Sequence, residues 1–223
     1  MKILIACEES QAVCKAFRAC GHEAYSCDIL PCSGGHPEWH FKTDVLRLIY
    51  DLTNDLSLNE FELENGDTVQ VPGWDMIIAH PPCTYLSNVS APCMFPKGIR
   101  NEARYHKMIE ARDFFMKLLN APCDKICVEN PRPLTIAELP KHTQEIQPYM
   151  FGAPFRKATR LWLKGLPPLL PTRIATGEII NWVCAGSKGR PEHATKAKHR
   201  DSKTRSKTFP EIAKAMAEQW EGV

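Results

Sequence analysis

A cysteine that directly follows two prolines is the residue in this chain best placed to do chemistry. Pro81-Pro82-Cys83 comes after the apolar run Met76-Ile77-Ile78-Ala79. That run reads as a short buried strand, and the prolines end it, because proline has no backbone N–H and a fixed φ. A thiol just past the carboxyl end of a buried strand lies on the edge where α/β sheets hold their ligands. Its anion would be a nucleophile. A free thiol with a pKa of about 8.5 is mostly protonated at neutral pH, so it needs an activating environment. A second ionisable group follows another apolar run: Lys125-Ile126-Cys127-Val128 leads into Glu129-Asn130-Pro131. A thiol and a carboxyl on neighbouring strand ends could face one substrate from two sides. Further acids stand at other junctions, in Cys7-Glu8-Glu9-Ser10, at Asp28 and in Asp44-Val45. An acid after a second strand is suited to binding a ribose diol.

The elements that must position these groups follow from periodicity. Lys2 to Ala6 reads as a buried strand. Ser10 is a candidate cap for a helix over 11–20, with Ala12, Val13, Ala16, Phe17 and Cys20 at helical spacing and Gly21 closing it. Glu23 to Cys27 is the next strand, so the chain opens with a β-α-β unit, the start of a parallel sheet. Residues 31–39 read as loop and 45–56 as helix. Phe61-Glu62-Leu63 and Thr68 to Val71 flank Glu64-Asn65-Gly66-Asp67, a hairpin signal near 60–72. Residues 84–99 are turn-rich. A long helix is predicted over 101–120, with Met108, Ala111, Phe114, Phe115, Leu118 and Leu119 on one face. Thr159 to Leu163 reads as a strand, 165–171 as a proline-rich break, and 209–220 as a closing amphipathic helix. The expected fold is α/β, a Rossmann-like, doubly wound and mostly parallel sheet. The expected organisation is a core over 1–166, a reduced basic segment over 167–207, and a C-terminal helix over 208–223 that packs back on the core.

The totals bound the function. A chain of 223 residues with 43% hydrophobic and 24% charged content suits one sizeable globular core. No run of about 18 apolar residues is present, so no membrane partner is expected. The apolar start is too short for a signal peptide and is interrupted by Cys7-Glu8-Glu9, which points to a cytoplasmic location. Ten cysteines include no C-x2-C pair, so no metal is expected and the thiols read as reduced, small hydrophobes. Net charge is +2, but 187–207 carries eight lysines and arginines against Glu192 and Asp201, which leaves the rest of the chain acidic. That segment is either a solvated linker or a contact for phosphates.

Here the residues carry a resemblance. Pro82-Cys83-Thr84-Tyr85-Leu86-Ser87 resembles the Pro-Cys-x-x-x-Ser motif of the DNA cytosine-5 methyltransferases, and Val128-Glu129-Asn130-Pro131 resembles their Glu-Asn-Val motif, in the same order. Asp28 and Asp44 match the acids after that family's second and third strands. The segment from Phe151 to Arg160 is similar to Tyr-Gly-x-Pro-Gln-x-Arg-x-Arg, and 210–220 resembles the closing helix. The whole chain looks like the short, phage-encoded members, which would place it in a host cytoplasm.

The resemblance implies methyl transfer from S-adenosylmethionine to cytosine C5 in DNA. Cys83 would be the nucleophile, adding at C6. Glu129 would be kept partly protonated by burial and would stabilise the adduct at N3. Asn130 would support the loop, and Arg156 or Arg160 would hold the pyrimidine carbonyl or a phosphate. Cofactor contacts would come from Cys7, Glu8, Ser10, Asp28, Ile29, Asp44, Val45 and Pro81. DNA contacts would come from Ser87 and from Lys188, Arg190, Lys196, Lys198, Arg200, Lys203 and Arg205, with Trp182 nearby. A duplex substrate would need its cytosine flipped out. Two departures stand out. The family's Phe-x-Gly-x-Gly loop reads Ala6-Cys7-Glu8-Glu9-Ser10-Gln11, without glycine, and the large target-recognition region is missing. The same chemistry on a free cytosine nucleotide or a single strand is one alternative. A non-catalytic DNA-binding or decoy protein on a degenerate fold is another. His80, His193 and His199 read as bystanders.

Overall fold

The computed structural model describes residues 1–182 and 206–223. A seven-stranded sheet runs through the centre. Its strands are β1 (Lys2–Ala6), β2 (Glu23–Asp28), β3 (His40–Lys42), β6 (Met76–Ala79), β7 (Ile126–Asn130), β8 (Gln144–Ile146) and β10 (Thr159–Lys164). They lie in the order β3-β2-β1-β6-β7-β10-β8. All neighbours pair in parallel except β10, which is antiparallel to both β7 and β8. Outside the sheet, β4 (Glu60–Glu62) and β5 (Thr68–Gln70) form an antiparallel hairpin around Asn65-Gly66. The two-residue strands β9 (Phe155–Arg156) and β11 (Ile180–Asn181) pair in parallel.

The helices are α1 (Ala12–Ala19), α2 (Val45–Tyr50), α3 (Ala91–Met94), α4 (Glu102–Leu119) and α5 (Pro210–Trp220). The sheet separates two apolar layers, and alternation along each strand decides which layer a side chain joins. Ile3, Ile5, Met76, Ile78, Cys127 and Leu161 meet α1 and α5 on one face. Leu4, Ala6, Ile77, Ala79, Val128 and Trp162 meet α2 and α4 on the other. The fold is thus a Rossmann-like, doubly wound α/β sheet. From β1 the chain winds outward to β3, then returns to β6 on the other side of β1. The crevice at such a reversal, outside the carboxyl ends of β1 and β6, is where these sheets bind ligands. The amide of His80 donates to the Ala6 carbonyl at 2.9 Å and closes the base of that crevice.

Several sequence expectations are corrected. Ser10 does not cap α1. Gln11 occupies the N-cap position with φ 57° and no side-chain cap bond. The buried Glu8 carboxylate instead accepts from the amides of Val13 at 2.7 Å and Cys14 at 3.2 Å. Helix α2 stops at Tyr50, well short of residue 56. β3 and β8, each three residues long, lie in stretches whose sequence carries no strand pattern. Residues 84–99 hold α3 and two 3-10 turns rather than plain loop. β7 extends through Glu129 and Asn130 before Pro131 stops it. Helix α4 matches its expected span, capped by Asn101, whose side chain accepts from the Arg104 amide. No helix among the described residues is long and apolar enough to cross a membrane.

Candidate active site

Cys83 and Glu129 arrive on adjacent strands. β6 and β7 pair with Ala79 opposite Val128, so the turns beyond them start side by side. The Cys83 carbonyl accepts from the amides of Leu86 at 3.1 Å and Ser87 at 2.8 Å, which folds the segment back on itself. This turn is then laced to the segment after Asn130. The Asn88 amide donates to the Arg132 carbonyl, and the Leu134 amide to the Leu86 carbonyl, each at 2.7 Å. Asn130 is fully buried and its side-chain amide holds the Pro131 carbonyl at 2.6 Å. From α4, Arg104 reaches the Thr84 carbonyl at 2.9 Å and lies over the Tyr85 ring. Cys83 itself is partly buried.

Alternation along β7 sends Glu129 to the same face as Cys127, toward α5. There it lines a small cleft with His80, Lys157 and Thr159 from the sheet side, roofed by Thr208, Phe209, Ile212 and Met216. Glu129 is only 14% exposed, and its Oε2 lies 3.3 Å from Nδ1 of His80. Burial pushes this carboxyl up, but the His80 hydrogen bond and the Lys157 charge outweigh it, so it sits below the usual carboxylate range. The expected upward push of burial is present, but it does not set the net direction.

Neither expected arginine lines this cleft. Arg156 is exposed on β9, and Arg160 is paired with Glu145 of β8 at 3.0 Å. The cation present is Lys157, one residue along from Arg156. Reading Gln-x-Arg-x-Arg onto Phe155-Arg156-Lys157-Ala158-Thr159-Arg160 misses it, because the match is carried by residue type and not by which side of the turn faces in. His80 was hidden for another reason: a lone histidine beside prolines has no motif. Its signal is position, at the end of the same strand that delivers Cys83.

On the β1–β3 side, Cys7, Asp28 and Asp44 come together. Burial and the charges of Asp28 and then Asp44 push the Cys7 thiol up. Cys7 has φ 59°, a left-handed conformation that favours glycine. So the loop without glycine takes glycine-like backbone at Cys7 and again at Gln11. Gly34 is the glycine this region needs: a Cβ there would lie 2.5 Å from the Gln11 side chain. Gln11, fully buried, bonds Ser26 and both the amide and carbonyl of His36. Asp28 accepts from the Leu30 amide, and Asp44 caps α2 by accepting from Leu46. Ile29 is 74% exposed. Ser10 is partly buried.

Four other candidate residues are taken up by the fold. Val45 and Pro81 are buried, so Val45 serves the core and Pro81 the base of the turn. Glu8 is taken up by the start of α1. Ser87 is buried and caps a turn, its hydroxyl accepting from the Val89 amide. Lys188, Arg190, Lys196, Lys198, Arg200, Lys203 and Arg205 lie outside the described residues. The residues that bracket them do meet: Trp182 packs on Phe209 at 4.6 Å and on Phe155 at 4.7 Å, next to the cleft. Among the described residues no group of three or more His, Cys, Asp or Glu could hold a metal ion.

Compared with known proteins, the chain matches no family model and no curated protein. Among solved structures it is similar to a candidate DNA modification methyltransferase encoded within a prophage of E. coli, at 12% identity and a TM-score of 0.46. The match covers 80% of this chain and 53% of that one, so the chain spans about half the length of that structure.

Proposed function

We propose that this chain transfers a methyl group from S-adenosylmethionine to C5 of cytosine in DNA through a covalent adduct at Cys83. The observation that carries this reading is the joining of two turns. The one bearing Cys83 and the one following Glu129-Asn130 are tied by backbone hydrogen bonds from Asn88 to Arg132 and from Leu134 to Leu86. Cys83 and the largely buried Glu129 are thereby held on one edge of the sheet.

The residues on the β1–β3 side fit the cofactor. Asp28 and Asp44 offer carboxylate acceptors to sugar hydroxyls, exposed Ile29 offers an apolar face to a base, and the left-handed turn at Cys7 opens the strand end. S-adenosylmethionine, when bound, supplies the electrophilic methyl group. The chain's own residues make cytosine able to take it. Cytosine C5 is a poor carbon nucleophile. The Cys83 thiolate adds to C6, and the electrons of the 5,6 double bond pass to C5 and N3. Glu129 faces the N3 and amino edge of the ring, and Lys157 is the cation available for the carbonyl. After methylation the C5 proton leaves to a base, the S–C6 bond breaks, and Cys83 is restored.

The experiment is tritium transfer from labelled S-adenosylmethionine to duplex DNA by the wild type and Cys83→Ala. Incorporation by the wild type alone is expected, and equal incorporation by both would remove the mechanism. Running dCMP and single-stranded DNA alongside separates the substrate forms.

A further inference from the structure

We infer that His80 is the proton source of the site, a positioning residue that acts through Glu129. This rests on the cytosine C5 reading above. Charge that reaches N3 during thiolate addition needs a proton, and a Glu129 carboxylate that accepts from a histidine can be handed one to pass on. His80 is built to supply it. Its ring is 9% exposed and hydrogen-bonds through Nδ1 to the carboxylate that lines the cleft. Its Nε2 is buried and has no hydrogen-bond partner among the described residues.

His40 shows what a structural histidine looks like in the same sheet. It is fully buried with both nitrogens engaged, Nδ1 with Ser26 at 2.8 Å and Nε2 with the Leu30 carbonyl at 3.0 Å. Two fixed partners lock a tautomer, whereas one partner that is itself ionisable leaves the ring free to exchange a proton. Two further charged groups and one neutral thiol bear on the pair. Glu8 at the start of α1 feels the His80 charge, Lys157 acts on Glu129 from the β9–β10 turn, and Cys127 lies beneath Glu129 on β7.

The transfer balances without any outside reagent. The S–C6 bond forms, N3 takes a proton from Glu129, and the proton on Nδ1 of His80 passes to Glu129. The imidazolium becomes a neutral imidazole. When Cys83 leaves, N3 returns its proton through Glu129 and His80 recovers its charge.

The test uses the full chain, S-adenosylmethionine and duplex DNA carrying 5-fluorocytosine, whose C5 cannot lose a proton, so the adduct is trapped. The rate of trapping is followed against pH for the wild type, His80→Asn and His80→Gln, which place an amide at one or the other ring nitrogen. The wild-type rate should rise with thiol ionisation and then fall as the imidazolium is lost. The variants should bind DNA as before but trap it about 10²–10³-fold more slowly, without the alkaline fall. Variants that trap at the wild-type rate, or slowly with the alkaline fall intact, overturn the inference and leave the cytosine reading standing. A wild type that forms no adduct at any pH removes both. Should neither variant fold, the wild-type profile still decides: a rate that climbs without falling overturns the inference, and one that falls supports it.

Discussion

On the β1–β3 side of the sheet, carboxylates at strand ends hold backbone amides, Asp28 and Asp44 through one oxygen each. Glu8 satisfies two amides at the start of α1, Asp44 one at the start of α2, and Asp28 the amide of Leu30. On the β6–β7 side, Glu129 sits on a strand that Pro131 ends, with no helix behind it. Its partners are a histidine and a lysine that line the same cleft. The first amides of a helix need acceptors in any fold, so an acid placed there is explained before chemistry is invoked. A buried carboxylate answered by ionisable side chains has no such explanation. That difference makes Glu129 the stronger functional candidate, and it separates two kinds of damage that substitutions should cause.

The largest effect is expected at Cys83. Cys83→Ala removes the nucleophile of the adduct, so methyl transfer should fall by at least roughly 10³-fold with folding unchanged. Residual transfer near the wild-type rate would show that the cleft works without a covalent step. Next comes Glu129→Gln. The amide oxygen still accepts from His80, so stability should shift by less than about 1 kcal/mol, while activity drops about 10²–10⁴-fold. Because the folded carboxyl lies below its usual value, it contributes stability that is present above the ordinary carboxylate range and lost as pH falls through the folded value. Glu129→Gln should abolish that acid-side loss in a series of melting curves.

Glu8 should behave in the opposite way. Glu8→Ala leaves two buried amides without acceptors and should cost about 1–3 kcal/mol in chemical denaturation, with activity per folded molecule reduced far less than by Glu129→Gln. Its pH signature is also reversed. Burial raises the folded carboxyl, so the folded state binds the extra proton, and stability falls as pH rises from the ordinary carboxylate value toward the raised one. A Glu8→Ala protein that loses activity but keeps its stability would erase the distinction between the two edges.

The two edges were not equally legible in the sequence. The strands β1, β2, β6, β7 and β10 and the long α4 show in the apolar pattern, because each has a side to bury. β3 and β8 do not, because three residues are too short for a period, and their pairing comes from neighbours already in place. Cys83 and Glu129 could be found because each follows an apolar strand and stands at a proline. Lys157 could not, since what marks it is the direction in which a turn faces, and His80 carried no motif beyond its place at the end of the strand that delivers Cys83. Glu8 was legible as an acid but not as a cap. Its bonds reach five and six residues ahead, past a left-handed Gln11, and no capping pattern read from sequence includes that detour.

The smallest effect is expected at Cys7, and it tests whether the missing glycines matter. A left-handed non-glycine residue costs about 1–2 kcal/mol, and glycine in its place costs about 0.5–1 kcal/mol of chain entropy. Cys7 also packs partly against the core, and giving up that thiol packing offsets the remainder. Cys7→Gly should therefore change stability by less than about 1 kcal/mol and leave the calorimetric affinity for S-adenosylmethionine unaltered. Gln11 is left-handed too, but its side chain makes three buried hydrogen bonds to Ser26 and His36. Gln11→Gly should thus be clearly destabilising, by about 1–3 kcal/mol. Equal losses at both positions would mean that the loop depends on its side chains throughout. A neutral Cys7→Gly beside a costly Gln11→Gly would mean that this edge keeps the backbone path of a glycine loop while anchoring it from one end.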